Sequence, residues 1–165
     1  MSIQNGAISG SIIHKTPMPY GEELRQAFHI PQSGCADVAI NPEGTLAYAA
    51  CHGELIIYAL QRNAAPRELG RAGGLGTSRQ VSVDAGFAYV TARADGLYIV
   101  DVRNPAQPRL AVHLDTLELA TGVCAAHGLC LVTNRHMGVE IWDVAQPEHP
   151  QYLACFLAGE AQSVC

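Results

Sequence analysis

Gly86-Phe87-Ala88-Tyr89-Val90-Thr91-Ala92-Arg93, followed by Gly96-Leu97-Tyr98-Ile99-Val100-Asp101-Val102, decides the fold, because the chain repeats it 42 residues on. The second copy reads Gly128-Leu129-Cys130-Leu131-Val132-Thr133-Asn134-Arg135 and Gly138-Val139-Glu140-Ile141-Trp142-Asp143-Val144. From 86–110 to 128–152, ten of 25 positions are identical without a gap, and Pro105 and Pro108 return as Pro147 and Pro150. A fainter copy lies 42 residues upstream, with Gly44, Leu55, Ile57 and Pro66 in the same register. A fixed period of this size marks a repeat architecture, in which one unit cannot bury its own faces and stacks on its neighbours.

Each unit reads as four short strands. In the middle copy they are expected at 81–83, 87–92, 97–102 and 109–114, with turns at Asp84-Ala85-Gly86 and Ala94-Asp95-Gly96. Proline cannot donate to a sheet ladder, so Pro105 and Pro108 belong between the third and fourth strands. No long segment has the apolar spacing of a helix. The third strand is apolar on both faces, with Leu97 and Ile99 on one side and Tyr98 and Val100 on the other. A strand with one wet face would alternate, so this one lies between two other layers. Four-stranded units of about 40 to 45 residues with both faces covered are the blades of a β-propeller. The expected class is therefore all-β, with three four-stranded antiparallel blades and an incomplete ring within one chain. Val81, Val83, Tyr89, Leu97, Ile99, Val123, Leu131, Ile141 and Trp142 are expected between blades.

Leu97-Tyr98-Ile99-Val100-Asp101-Val102-Arg103-Asn104-Pro105-Ala106-Gln107-Pro108 resembles the LVIVD repeat, whose core reads Leu-x-Ile-Val-Asp-Val-Ser-Asn-Pro-x-x-Pro. Residues 139–147 resemble it with Val for Leu and Gln for Asn. Phe87-Ala88-Tyr89-Val90 is similar to that family's Tyr-Ala-Tyr-Val strand. The first copy has Ala59-Leu60 in place of Asp-Val and looks closer to the related YVTN type of propeller repeat. The resemblance implies a β-propeller of mostly bacterial and archaeal occurrence, without an established activity, and it carries over no catalytic residue.

In this reading 35–78 form blade 1, 79–120 blade 2 and 121–160 blade 3. Residues 24–34 resemble the last strand of a preceding blade, and 161–165 resemble 120–124, the first strand of a further one. Known propellers close with four to eight blades. Two expectations follow for three: a fragment of a longer propeller protein, or copies that associate into a ring through 24–40 and 150–165.

A net charge of −5 and a pI near 5.7 argue against nucleic acid, which needs a basic face. No apolar run approaches the 18 or more residues of a membrane span. Met1-Ser2-Ile3-Gln4-Asn5-Gly6 has neither the basic start nor the apolar core of a secretory signal. The six cysteines therefore read as reduced thiols of a cytoplasmic protein, with a Cys124–Cys130 disulfide as the alternative in an oxidising compartment.

Arg93 and Arg135 each end a second strand, and His52 and His136 lie in the corresponding turns of the first and third copies. In a propeller these turns share a face with the links between blades. Arg79, Arg93, Arg135, His52, His136 and Glu118 are therefore candidates to converge on one mouth and bind a small anion, since arginine forks recognise carboxylate and phosphate. The bland alternative is that repeated arginines cap their own blades. Cys124-Ala125-Ala126-His127-Gly128-Leu129-Cys130 offers Cys124, His127 and Cys130 as a weak metal candidate, one ligand short of a structural zinc site. Asp101 and Asp143 read as acceptors for backbone N–H groups before a turn. Gly73-Gly74-Leu75-Gly76-Thr77-Ser78 lacks the lysine and helix of a phosphate loop. No catalytic residue and no cofactor is expected. The favoured function is a non-catalytic scaffold that binds a protein partner or itself. The alternatives are a small-anion or metal sensor or enzyme, and a segment whose function resides in missing blades.

Overall fold

The computed structural model describes residue 32 and residues 34–164. They form twelve strands and, among them, no helix. Blade 1 comprises β1 (Cys35–Ile40), β2 (Leu46–Cys51), β3 (Glu54–Ala59) and β4 (Arg67–Ala72). Blade 2 comprises β5 (Val81–Asp84), β6 (Phe87–Thr91), β7 (Leu97–Asp101) and β8 (Arg109–Leu114). Blade 3 comprises β9 (Ala120–Ala126), β10 (Leu129–Asn134), β11 (Gly138–Asp143) and β12 (Gln151–Phe156). Each is an antiparallel meander in chain order. The segment of a preceding blade expected at 24–34 falls largely outside the described residues. No described helix is long and apolar enough to cross a membrane.

Local chemistry explains why identical residues recur. Gly96 and Gly138 have φ of 75° and 93°, and a Cβ at either would strike the carbonyl oxygen of Leu114 or Phe156, themselves 42 residues apart. Only glycine fits such a backbone at such a contact. Asp101 and Asp143 accept backbone N–H groups two residues on, from Arg103 at 3.1 Å and Ala145 at 2.9 Å. Val102 and Val144 donate their N–H groups to Gly86 and Gly128, closing the same hairpin twice. A bulge recurs between Ile57 and Tyr58, Ile99 and Val100, and Ile141 and Trp142. It twists the third strand against the fourth at one place in every blade.

Blades stack face to face around two apolar layers. Tyr48, Leu55 and Ile57 of blade 1 meet Val81, Val90, Tyr98 and Val100 of blade 2. Phe87, Tyr89, Leu97 and Ile99 of blade 2 meet Val123, Cys130 and Val132 of blade 3. Each fully buried aliphatic side chain contributes about 1.5–3 kcal/mol, so these layers dominate cohesion.

Three expectations are corrected. Val83, Leu131, Ile141 and Trp142 are only partly buried, unlike Val81, Tyr89, Leu97, Ile99 and Val123. Leu131 and Ile141 lie on the outer face of blade 3, away from blade 2. The first copy also departs from the 42-residue register in β2: Tyr48, not Ala47, pairs with Ile57 as Tyr89 pairs with Ile99. A two-residue turn, His52-Gly53, replaces the longer Ala92–Gly96 loop, so the strand slips by one. Nor are all cysteines thiols. The β1–β2 register sets Cys35 opposite Cys51, and the two form a disulfide across the hairpin.

Candidate functional site: a cationic mouth

The links between blades gather on one face. Arg79 donates its N–H to Thr91 O at 2.7 Å, and Arg93 and Ala120 exchange backbone bonds at 3.1 and 2.9 Å. Arg135 donates to Leu119 O, and Ala161 donates to Arg135 O. In blades 2 and 3 the end of the second strand is thus tied to the start of its own first strand, and Arg93 ties blade 2 to the start of the first strand of blade 3. Thr91 and Thr133, both fully buried, reinforce the joints: Thr91 Oγ1 accepts Gln80 N–H at 3.1 Å, and Thr133 Oγ1 meets Thr121 Oγ1 at 3.0 Å. With their backbones held there, Arg79, Arg93 and Arg135 line one open cavity of about 480 Å³, together with Ala36, Gln80, Leu119, Thr121, Gln162 and Ser163.

No carboxylate is among the described lining residues. The acids next in sequence to lining residues Ala36 and Leu119 are otherwise engaged. Asp37 accepts Val81 N–H at 3.0 Å, and Glu118 accepts His136 N–H at 3.0 Å. Glu118 and His136 therefore hold each other at the Arg135 turn and do not line the cavity. His52 packs its ring beside Gly34 and lies outside the lining as well. The structure brings together three of the six residues singled out in the sequence.

Cys124 and Cys130 do not converge. Cys124 pairs with Leu131 and Cys130 with Ala125, which puts their side chains on opposite faces of the hairpin. His127 lies in the turn, and no cluster of three or more His, Cys, Asp or Glu side chains with metal-binding geometry occurs among the described residues. Burial pushes the Cys130 thiol up to about 12.

Two polar clusters were not apparent in the sequence. Asp101 takes the Arg103 side chain through two bonds of 2.9 and 2.7 Å, with Arg109 at 3.5 Å, and Arg103 also lies over the Phe87 ring. The Arg103 hydrogen bonds hold the Asp101 carboxyl well below the usual carboxylate range. Glu140 is buried on the side of blade 3 that faces blade 2. Its oxygens accept Leu117 N–H at 2.6 Å, the Asn134 amide at 2.6 Å and the Trp142 indole N–H at 3.0 Å. The same strand position in blade 2 is Tyr98, which stacks on His113 at 4.3 Å. The repeat thus carries different side chains at this joint, and a single lone Glu in an apolar strand was its only signal.

Residues 75–116 match the LVIVD repeat family. That stretch carries one LVIVD repeat, and the fold of the chain is that of β-propeller blades. No curated protein matches it. Among solved structures the propeller blades superpose on the WD40 repeats of RRP9 with a TM-score of 0.67 and 10% identity, over 84% of this chain and 43% of that one. They superpose on Sqt1 of Saccharomyces cerevisiae with a TM-score of 0.65 and 14% identity, over 78% and 37%. For the computationally designed Ika4 protein the TM-score is 0.63 at 11% identity, over 87% of this chain and 85% of that one. The chain thus spans about two-fifths of the WD40-repeat structure and most of the designed protein.

Proposed function

We propose that this LVIVD-repeat chain is a non-catalytic scaffold that works by self-assembly, the outer face of blade 3 receiving a blade of a second copy. The observation that carries the reading is a comparison of equivalent positions. Phe87, Tyr89, Leu97 and Ile99 are covered by blade 3. Their counterparts 42 residues on, Leu129, Leu131, Val139 and Ile141, have no such cover among the described residues. Leu129 is 44% exposed, and Phe156, the counterpart of half-buried Leu114, is 67% exposed. What fits such a face is what covers it one blade earlier, the first and second strands of another blade. Apolar burial at about 25 cal/mol per Å² favours that joint, against the cost of association. Twofold pairing is the commonest way for identical chains to associate, and two sets of three blades make a six-bladed ring. The same reading has no nucleic-acid or membrane partner, and the net charge of −5 supports the exclusion of nucleic acid; the Cys35–Cys51 disulfide speaks against the cytoplasmic location expected from the sequence.

Size-exclusion chromatography with light scattering tests it. The expected result is a homodimer or a larger closed assembly, which Phe156→Glu dissociates. A monodisperse monomer at high micromolar concentration would overturn the proposal.

A further inference from the structure

We infer that the cavity between Arg79, Arg93 and Arg135 is a binding site for a small multivalent oxyanion, carrying carboxylate or phosphate groups. The inference does not depend on the self-assembly reading.

Three observations carry it. First, the charge is concentrated against the trend of the chain. The protein has a net charge of −5 and only ten lysines and arginines, yet three of them line one cavity. Second, these arginines are unspent. Arg71 pairs with Glu54 and Glu68, and Arg103 and Arg109 both pair with Asp101. Arg79, Arg93 and Arg135 make no ion pair with any described residue, and Asp37 and Glu118, the acids next in sequence to lining residues Ala36 and Leu119, are committed to backbone N–H groups. Third, the arginines are placed by backbone that cannot drift. The bridge between Arg93 and Ala120, and the bonds of Arg135 to Leu119 and Ala161, fix two of them where consecutive blades join.

Like charges gathered without a counter-charge repel one another, and a ligand that relieves the repulsion binds with that energy added. A guanidinium offers a planar fork of donors matched to carboxylate and phosphate, and three forks suit a ligand with two or more negative groups. Gln80, Gln162, Thr121 and Ser163 supply neutral polar groups on the same wall. A volume of about 480 Å³ lies in the range of small-molecule sites, about 300–1,000 Å³. The described lining holds the hydroxyls of Thr121 and Ser163 but no histidine or carboxylate to activate them as nucleophiles.

Isothermal titration at fixed low ionic strength, with citrate and with inorganic pyrophosphate as separate probes, tests the inference. At least one should bind saturably at one site per chain, and the stronger of the two tells whether carboxylate or phosphate is preferred. Arg93→Ala and Arg135→Ala should each weaken binding about tenfold or more, as expected for one charge-assisted pair. Arg93→Lys, which keeps the charge and the size but loses the fork, should recover only part of the loss. Arg62→Ala, in the exposed loop between β3 and β4, should change nothing. Failure of both probes to saturate the wild-type chain would overturn the inference. So would binding that survives replacement of all three arginines, or a loss as large in Arg62→Ala. The wild-type titration decides the first of these outcomes even where a variant is unstable.

Discussion

Ile99 and Ile141 are the same residue at the same place in successive blades, and they should differ sharply in what they contribute. Ile99 is completely buried between blades 2 and 3, while Ile141 lies part-exposed on the outer face of blade 3. Truncation to alanine removes three carbons. At about 0.8 kcal/mol per buried carbon, the transfer loss at Ile99 is about 2.4 kcal/mol. The cavity left among Phe87, Tyr89, Val123 and Val132 adds to it, giving about 2–5 kcal/mol in total. At Ile141 the side chain keeps part of its contact with water and no second blade closes over the gap, so the loss should be about 1 kcal/mol. Urea denaturation of the two variants, in protein dilute enough for light scattering to report monomer, measures the gap directly. Raising the concentration should then narrow it, as a second copy covers Ile141. Equal losses in the verified monomer, or a loss at Ile99 under about 1 kcal/mol, would refute the claim that blade burial sets these energies.

The remaining predictions concern polar groups. Glu140→Ala should destabilise the fold by about 2–4 kcal/mol, because it strands the fully buried Asn134 amide and two part-buried N–H donors, and Glu140→Gln should cost less; equal, small losses by thermal melting would count against the network. Asp101 has a folded pKa depressed below its unfolded value of about 3.9. Its contribution to stability is therefore complete above that value and is lost as pH falls through the lower folded pKa. Between about pH 5 and 2 the wild-type denaturation midpoint should fall more steeply than that of Asp101→Asn, and parallel curves would show that the carboxylate is not paired. The Cys130 thiol, raised to about 12 by burial, should resist alkylation at pH 8 until denaturant is added, whereas labelling at the native rate of an exposed thiol would contradict its burial.

The fold was legible because its signals are local and occur more than once. A turn glycine such as Gly96 or Gly138 is dictated by a carbonyl oxygen that would collide with any Cβ, and the collision recurs with the period. Asp101 and Asp143 cap the same turn in successive blades, so their repetition reports structure and not chemistry. Where the repeat weakened, inference from the period failed in a definite way. The two-residue turn at His52-Gly53 slipped β2 by one position, and the alternation of faces along Leu46–Cys51 inverted with it. The Cys35–Cys51 pair was hidden for the same reason, since cross-strand partners follow from the register and not from spacing.

The candidate site obeys a different logic, and this is why only three of the six residues named for it line the cavity. Arg93 and Arg135 are tied to the repeat, and a residue that recurs at the end of a second strand must recur around the same mouth. Arg79 joined them because it leads into β5 and its N–H is held by Thr91 O at the end of β6, beside Arg93. Glu118 and His136 satisfied the same positional argument, yet they satisfied each other first: a carboxylate within 3.0 Å of a backbone N–H has a local partner and does not reach the cavity. Position along a repeat therefore assigns a residue to a face, but only the inventory of available partners decides whether its side chain is left for a ligand. By that criterion the three unpaired arginines are the part of this surface whose chemistry the fold itself does not use.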